Sequence, residues 1–389
     1  MSGFLRSFST MVDRFFWSSA AVARTGPHIR DGNSVQRLWN YFVIASLPVW
    51  AIGTWSLGRQ TNLAISALEL ESVPGWRADW LSRLGVGFDP TSIVDCFLHG
   101  ALYFLPMFLV ALLVGAFWQA MFAKFRNQEP DEGLLVIAWF FALMLPATAP
   151  MYQIGLGMSF AIVVGKLIYG GSGRYLVNPA LLGIAFLVFA YPTLLLGVGA
   201  WVPVEGYDQP TVLELVTDEG GLKVVSAVGY DYKQLFIGDR PGSIGTSSPL
   251  GVLLGALFLI WTRIASWRVM LGSLIGLIAT TLVFNAVAPD HPLLSVPWYW
   301  QFVLGGYLFG TVFLATDPVA GPMTDPGRWG FGLLVGILTI FVRVGNPSYY
   351  EGVLFAILLA CMFAPLIDFV VKERNIKRRA RRLAGGVGE

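Results

Sequence analysis

Ten stretches of this chain are both apolar and long: they lie near 38–57, 97–123, 133–148, 151–170, 179–200, 248–266, 268–288, 297–316, 329–345 and 351–371. Each approaches or reaches the ~20 residues that carry a helix across a bilayer, where only helices or closed barrels satisfy every backbone group. The expected fold is therefore an all-α polytopic membrane protein of about ten transmembrane helices. Composition agrees, with 55% hydrophobic and 13% charged residues, against about 25% charged in soluble domains. Runs 133–148 and 297–316 end on Pro146 with Pro150 and on Pro318 with Pro322. Those prolines predict half-helices whose irregular backbone is shielded by protein.

Lysine and arginine in the short loops set the expected orientation. Arg6, Arg14, Arg24, Arg30 and Arg37 precede the first run, and Lys372, Arg374, Lys377, Arg378, Arg379, Arg381 and Arg382 follow the last. Both termini are thus expected in the cytoplasm. Lys124, Arg126, Lys166, Arg174, Arg263 and Arg268 fall on the same side, and Arg343 is the exception. With a net charge of only +2, the basic tail reads as a positive-inside anchor and not as a nucleic-acid site. Phe4, Phe8, Met11, Val12, Phe15 and Phe16 recur at near-helical spacing without a continuous apolar core, which predicts an amphipathic surface helix in preference to a targeting peptide.

Cys96 and Cys361 form no CxxC pair, and His28, His99 and His291 are scattered, so no iron–sulfur or zinc site is encoded by this chain alone. Cys96 and His99 share a helical face in "DCFLHG", where helix packing is the expected role.

An internal repeat divides the chain. "ATAP" at 147–150 matches "ATDP" at 315–318, and "NP" at 178–179 matches "NP" at 346–347, both at an offset of 168 residues. The matches fall at the same ends of the third and eighth and of the fifth and tenth runs. Two five-helix repeats of opposite orientation follow, in which broken helices meet near the midplane. The expected organisation is a cytoplasmic segment 1–37, a first repeat 38–200, an external loop 201–247, a second repeat 248–371 and a basic tail 372–389.

Asp317 stands where the first half has the neutral Ala149. An intramembrane carboxylate is a functional candidate, which places Asp317 and Asp368, in "APLIDFVV", on an ion path. A turn-starting role before Pro318 is the competing reading of Asp317. The loop after Trp201 carries "EGYDQPTVLELV" (205–216) and "GDRPGSIGTSSPLG" (238–251). The second offers backbone amides and hydroxyls at the mouth of a helix, a common way to hold phosphate.

The motifs "HIRD" (28–31), "GGSGRYLVNPALLGIAFLVFAYP" (170–192), "PGSIG" (241–245), "PWYWQFVLGGYLFG" (297–310), "ATDPV" (315–319), "EGVLFAILLACMFAPLID" (351–368) and "NIKRR" (375–379) carry a resemblance. The chain resembles the B subunits of sodium-pumping NADH:quinone oxidoreductases (Nqr) and, more distantly, the D subunits of Rnf complexes. The resemblance implies a urea-transporter-like fold. It implies a translocase subunit passing electrons between flavins toward ubiquinone as Na⁺ crosses, with the other subunits, A, C, D, E and F, as partners. NADH must be oxidised elsewhere, because this chain has no nicotinamide-binding fingerprint.

In that family FMN is esterified to a threonine in a pattern close to Asp-Gly-Tyr-Ser-Gly-Ala-Thr. The matching "EGYDQPT" places the attachment at Thr211, with Gly242, Ser243 and Gly245 near the flavin and Thr246 or Ser247 as fallback acceptors. Glu205, Asp208, Gln209 and Pro210 depart from the pattern; Pro210 adds bulk and Asp208 a charge that repels phosphate. The resemblance also matches Asn178 to a riboflavin contact, while Asn178 before Pro179 reads equally as a helix cap. Quinone is matched to Gly115, Ala116 and Gln119, where the family has Gly-Gly and a later Glu; close helix packing is the other reading of these small residues. A flavin-free channel or transporter of the same fold, or an Rnf-type subunit, is the alternative.

Overall fold

The computed structural model describes residues 35–70, 75–127, 133–196, 198–218, 221–289, 292–345 and 351–385, with the single positions 26 and 72. The expected N-terminal surface helix, the "HIRD" motif, His291 and the pair Asn346–Pro347 lie outside the described residues.

The described residues are helical with no β-strand. Along the chain run α1 (Val35–Ala67), α2 (Trp76–Arg83), α3 (Ile93–Arg126), α4 (Leu134–Met144), α5 (Met151–Ile162), α6 (Pro179–Ala190), α7 (Val212–Asp218), α8 (Pro249–Trp261), α9 (Trp267–Val287), α10 (Trp298–Val303), α11 (Tyr307–Phe309), α12 (Asp325–Gly345) and α13 (Val353–Gly385). Among them α1, α3, α9, α12 and α13 are long and apolar enough to cross a membrane, and α4, α5, α6 and α8 are shorter apolar helices. The termini of these helices follow local chemistry. The Ser92 hydroxyl caps α3 by accepting from the Asp95 amide at 3.3 Å, and Ser248 caps α8 through the Gly251 amide at 3.1 Å, with Pro249 at the first position.

Several bounds differ from expectation. The fifth run ends at Ala190 because Pro192 cannot continue the helix. The tenth helix passes without a break into the basic tail as far as Gly385. The third run is a helix only to Met144, short of Pro146. The eighth is interrupted twice: an extended Leu304 and a left-handed Gly305 separate α10 from α11, and α11 then widens into a π turn over Gly310–Leu314. Gly305 has φ +64°, a conformation that glycine adopts at no steric cost.

Glycines bring helix backbones together, as expected where lipid supplies no hydrophobic drive between helices. A Cβ on Gly276 would collide with the Leu333 carbonyl, and one on Gly332 or Gly336 with the carbonyls of Val269 or Ser273. The stripes Gly272/Gly276 and Gly332/Gly336 therefore let α9 and α12 touch along their length. Gly58 and Gly100 do the same for α1 and α3.

Packing partners recur between the two stretches expected to form repeats. α3 packs on α5 as α9 does on α12, α5 on α6 as α12 on α13, and α1 on α4 as α8 on α11; across the halves α1 meets α8 and α6 meets α13. Two open cavities sit at the matching turns. One of about 540 Å³ is lined by 147–151, Arg77, Glu205 and Asp208. The other, of about 480 Å³, is lined by 315–318, Arg263, Arg268 and Arg328.

Candidate functional site

Two polar clusters lie at opposite ends of α6. At its first turn Asn178 uses its side-chain oxygen as a cap, accepting from the amides of Ala180 (3.0 Å) and Leu181 (3.3 Å). Its amide nitrogen donates to Asp317 Oδ2 at 2.8 Å. The structure thus joins two candidate residues that lie 139 positions apart in the chain. Asp317 is 4% exposed. Tyr175 Oη donates to it at 3.1 Å, and the amides of Val319 (2.8 Å) and Ala320 (3.4 Å) complete the set. Asp317 therefore starts its own turn and also anchors that turn to the head of α6. Both local readings of the sequence, Asn178 as cap and Asp317 as turn starter, describe real bonds.

Asp368 secures the other end of the same segment. Its carboxylate accepts from the Met323 amide (2.7 Å), the Thr324 amide (3.1 Å) and the Thr324 hydroxyl (2.5 Å). The two acids do not form one site; each holds a different half of the turn between the π turn and α12.

At the other end of α6, Thr211 meets Gly242 and Ser243 around a cavity of about 20 Å³, together with Trp201, Arg240, Thr246, Gly305 and Glu351. Gly245 is not among them. Its amide donates to Leu143 O at 2.7 Å and a Cβ there would press on Phe309, so this glycine seats the loop on α4 and α11. Thr211 itself caps α7: its hydroxyl oxygen accepts from the Glu214 amide at 3.3 Å, while Glu214 accepts from the Thr211 amide at 3.2 Å. The loop hydroxyls expected to hold phosphate serve the loop itself. Ser243 and Thr246 pair at 2.8 Å, and Ser247 donates to Ser243 O at 2.7 Å.

Under this cavity lies a charged network that sequence reading missed. Arg240, 5% exposed, donates to the carbonyls of Ser247 (3.0 Å), Thr246 (2.6 Å), Val303 (2.8 Å) and Gly305 (3.3 Å). Burial pulls its guanidinium down to about 10, an effect that the Glu351 carboxylate opposes. Glu351 accepts from the Gly306 amide at 3.1 Å. Arg343, only 1% exposed, bonds the Gln301 side chain and the Leu304 carbonyl (3.3 Å). This explains its exception to the charge bias: it is an internal fastener of the broken helix, and a solvent-facing charge is what orients a loop. The available signal was the position of Arg343 and Glu351 at the ends of apolar runs. Tyr175 was equally legible, three residues before Asn178.

Gly115, Ala116 and Gln119 are buried on α3, and a Cβ on Gly115 would lie 2.5 Å from Leu134 and 2.9 Å from Met158. Gly115 is thus a close-packing point against α4 and α5, with Ala116 and Gln119 buried beside it on the same helix. Cys96 and His99 likewise pack, both through Asn62: His99 Nδ1 lies 2.7 Å from its oxygen and Cys96 Sγ 3.6 Å from its nitrogen.

Long apolar helices, glycine seams and buried charges that fasten broken helices define a polytopic α-helical membrane protein. The chain matches the NQR2, RnfD, RnfE family over residues 22–377 and belongs to that family. It is 42% identical over 374 residues to an Azotobacter vinelandii protein named as the B subunit of a Na(+)-translocating NADH-quinone reductase, covering 95% of this chain and 92% of that one. Proteins of the same name from Pseudomonas aeruginosa (42% identity, 95% and 92% covered) and Chromohalobacter salexigens (43%, 95% and 90%) are similarly close.

Proposed function

We propose that this chain is the membrane subunit of a sodium-translocating NADH:quinone oxidoreductase, passing electrons toward quinone while Na⁺ crosses the bilayer. The observation that carries the proposal is identity of 42% spread over 95% of the chain to a protein of that name. In this reading it works with the other Nqr subunits, A, C, D, E and F, and has both termini in the cytoplasm of a bacterial inner membrane. The paired packing of the halves and the matched cavities support two inverted five-helix repeats of the urea-transporter kind.

Thr211 is the proposed FMN acceptor. A phosphoester leaves its oxygen able to accept from Glu214, so attachment is compatible with the cap, and the buried Arg240 supplies positive charge below. The enclosed space of about 20 Å³ is far smaller than a flavin ring, so the ring requires the loop to open or lies outside it. When bound, a flavin supplies one- and two-electron transfer; the residues here hold and orient it. Asn178 is proposed to touch riboflavin, and its bond to Asp317 would link that site to the ion path of Asp317 and Asp368. Quinone is proposed to approach α3 at Gly115, Ala116 and Gln119.

The second reading is a flavin-free channel of the same fold, favoured by the small space at Thr211 and by Pro210 before it. Purified protein separates the two: a visible flavin spectrum and in-gel fluorescence that survives SDS are expected. A colourless protein made alongside a competent flavin transferase would support the channel.

A further inference from the structure

The cavity of about 480 Å³ beside the 315–322 turn is lined on its other side by Ile260, Arg263, Ile264, Ala265, Ser266, Trp267 and Arg268, with Arg328 closing it from α12. Arg263 sits in the left-handed region at φ +58°, with no side-chain hydrogen bond or ion pair among the described residues. Arg268 and Arg328 share one acid, Asp325, each at 3.3 Å, and Asp325 is itself more than half exposed. Asp325 is not part of the lining; the acid that is, Asp317, directs its carboxylate to Tyr175, Asn178 and its own turn. Three arginines therefore line the cavity, two of them sharing Asp325 outside it, while Asp317 in the lining is engaged by its own donors.

A second observation points to a ligand. Ser266 precedes α9 as its N-cap, yet its hydroxyl makes no capping bond. That oxygen is buried and has no partner among the described residues. A buried hydroxyl without a partner is unfavourable, and Ser266 belongs to the lining of this cavity, so an acceptor there becomes its partner once the side chain turns toward it. The wall toward lipid is apolar: Ile260 lines the cavity, with exposed Leu257 and Trp261 on the same helix. The Trp267 ring lies under the Arg268 guanidinium at 5.2 Å and packs edge-on to Trp329 at 5.6 Å.

We propose that this cavity binds the phosphate of an anionic lipid headgroup. Tetrahedral phosphate oxygens match the arginine forks and accept from Ser266, and the acyl chains continue down the apolar wall of α8. A carboxylate ligand would leave part of the arginine array unmatched, and a zwitterionic headgroup brings no net charge. The proposal needs only that the chain spans a membrane, so it stands or falls independently of the flavin and quinone reading.

The test uses the full-length chain in a neutral maltoside, with palmitoyl-oleoyl phosphatidylglycerol, palmitoyl-oleoyl phosphatidylcholine or inorganic phosphate added separately. Native mass spectrometry reads retained adducts and thermal unfolding reads protection. Phosphatidylglycerol should be retained over phosphatidylcholine at equal mole fraction. Arg263→Gln should weaken retention about fivefold, the effect of about 1 kcal/mol per basic residue at an anionic surface. Ser266→Ala should weaken it about two- to fivefold without loss of folding. Arg378→Gln, on the exposed tail, should change nothing. Equal retention of phosphatidylcholine overturns the proposal, as does an Arg378→Gln effect as large as that of Arg263→Gln, which would mean diffuse surface charge. Protection by inorganic phosphate alone, dependent on Arg263 and without lipid preference, overturns the lipid assignment and makes the ligand a free anion.

Discussion

Asp317 shows how one residue answers to two demands. Its oxygens accept from Tyr175, Asn178, Val319 and Ala320, so the carboxylate is saturated by donors in this state. A cation entering here displaces Asn178 or Tyr175, which would loosen the head of α6. Asp317→Asn sets an amide donor against the Asn178 amide and should cost about 1–3 kcal/mol in unfolding experiments. In the assembled complex it should also weaken the sodium dependence of quinone reduction, whereas Tyr175→Phe should cost about 1 kcal/mol and leave that dependence alone. Unchanged sodium dependence in Asp317→Asn would leave the acid as a fastener of its turn. Thr211 makes the parallel case at the other end. Thr211→Val should abolish SDS-stable fluorescence and remove about 1 kcal/mol of capping, while Thr211→Ser keeps the cap, so that flavin loss and helix fraying can be read separately. Candidate residues were recognisable because charges and Asn-Pro or Asp-Pro pairs are conspicuous in apolar sequence. Their partners were not, since Asn178 and Asp317 lie 139 positions apart in the chain and meet only when it is folded.

At the scale of elements, long apolar runs announced helices, and prolines announced where several of them end. The break at Leu304–Gly306 was less legible, although "LGG" stands in the run. Its cause is distant: Glu351 accepts the Gly306 amide, and Arg343 and Arg240 hold the carbonyls on either side. Without those partners a glycine pair inside a membrane run would cost only propensity. Glycine seams invite a direct test. Gly336→Leu places side-chain atoms where α9 backbone lies, and it should lower stability by at least about 1–3 kcal/mol through overpacking. Gly330→Ala, whose Cβ would meet nothing nearer than 4.0 Å, should be neutral or stabilising by up to about 1 kcal/mol. Thermal midpoints of both variants in one detergent would compare them; equal midpoints would remove the seam as an explanation of the α9–α12 contact.

For the whole molecule, the charge bias and the count of five runs before the 201–247 loop are the grounds on which we propose that loop to lie outside and both termini inside. A reporter fused after Lys223 should be active as alkaline phosphatase, and one fused at Glu389 should not; phosphatase activity at Glu389 would refute the inverted arrangement. What the sequence determined by itself was the class: apolar length and the scarcity of charge leave only membrane helices, because backbone polar groups cannot be satisfied otherwise in lipid. The 168-residue echo of "ATAP" in "ATDP" is the sequence basis of the proposed two repeats. Tertiary structure decided the rest. Whether Gly115 is a seam, whether Gly245 seats a loop or lines a site, and why Arg343 defies the charge bias all depend on which groups lie opposite them. Local sequence contains no information about which residue tens of positions away becomes a neighbour, so those assignments appear only once the helices are packed.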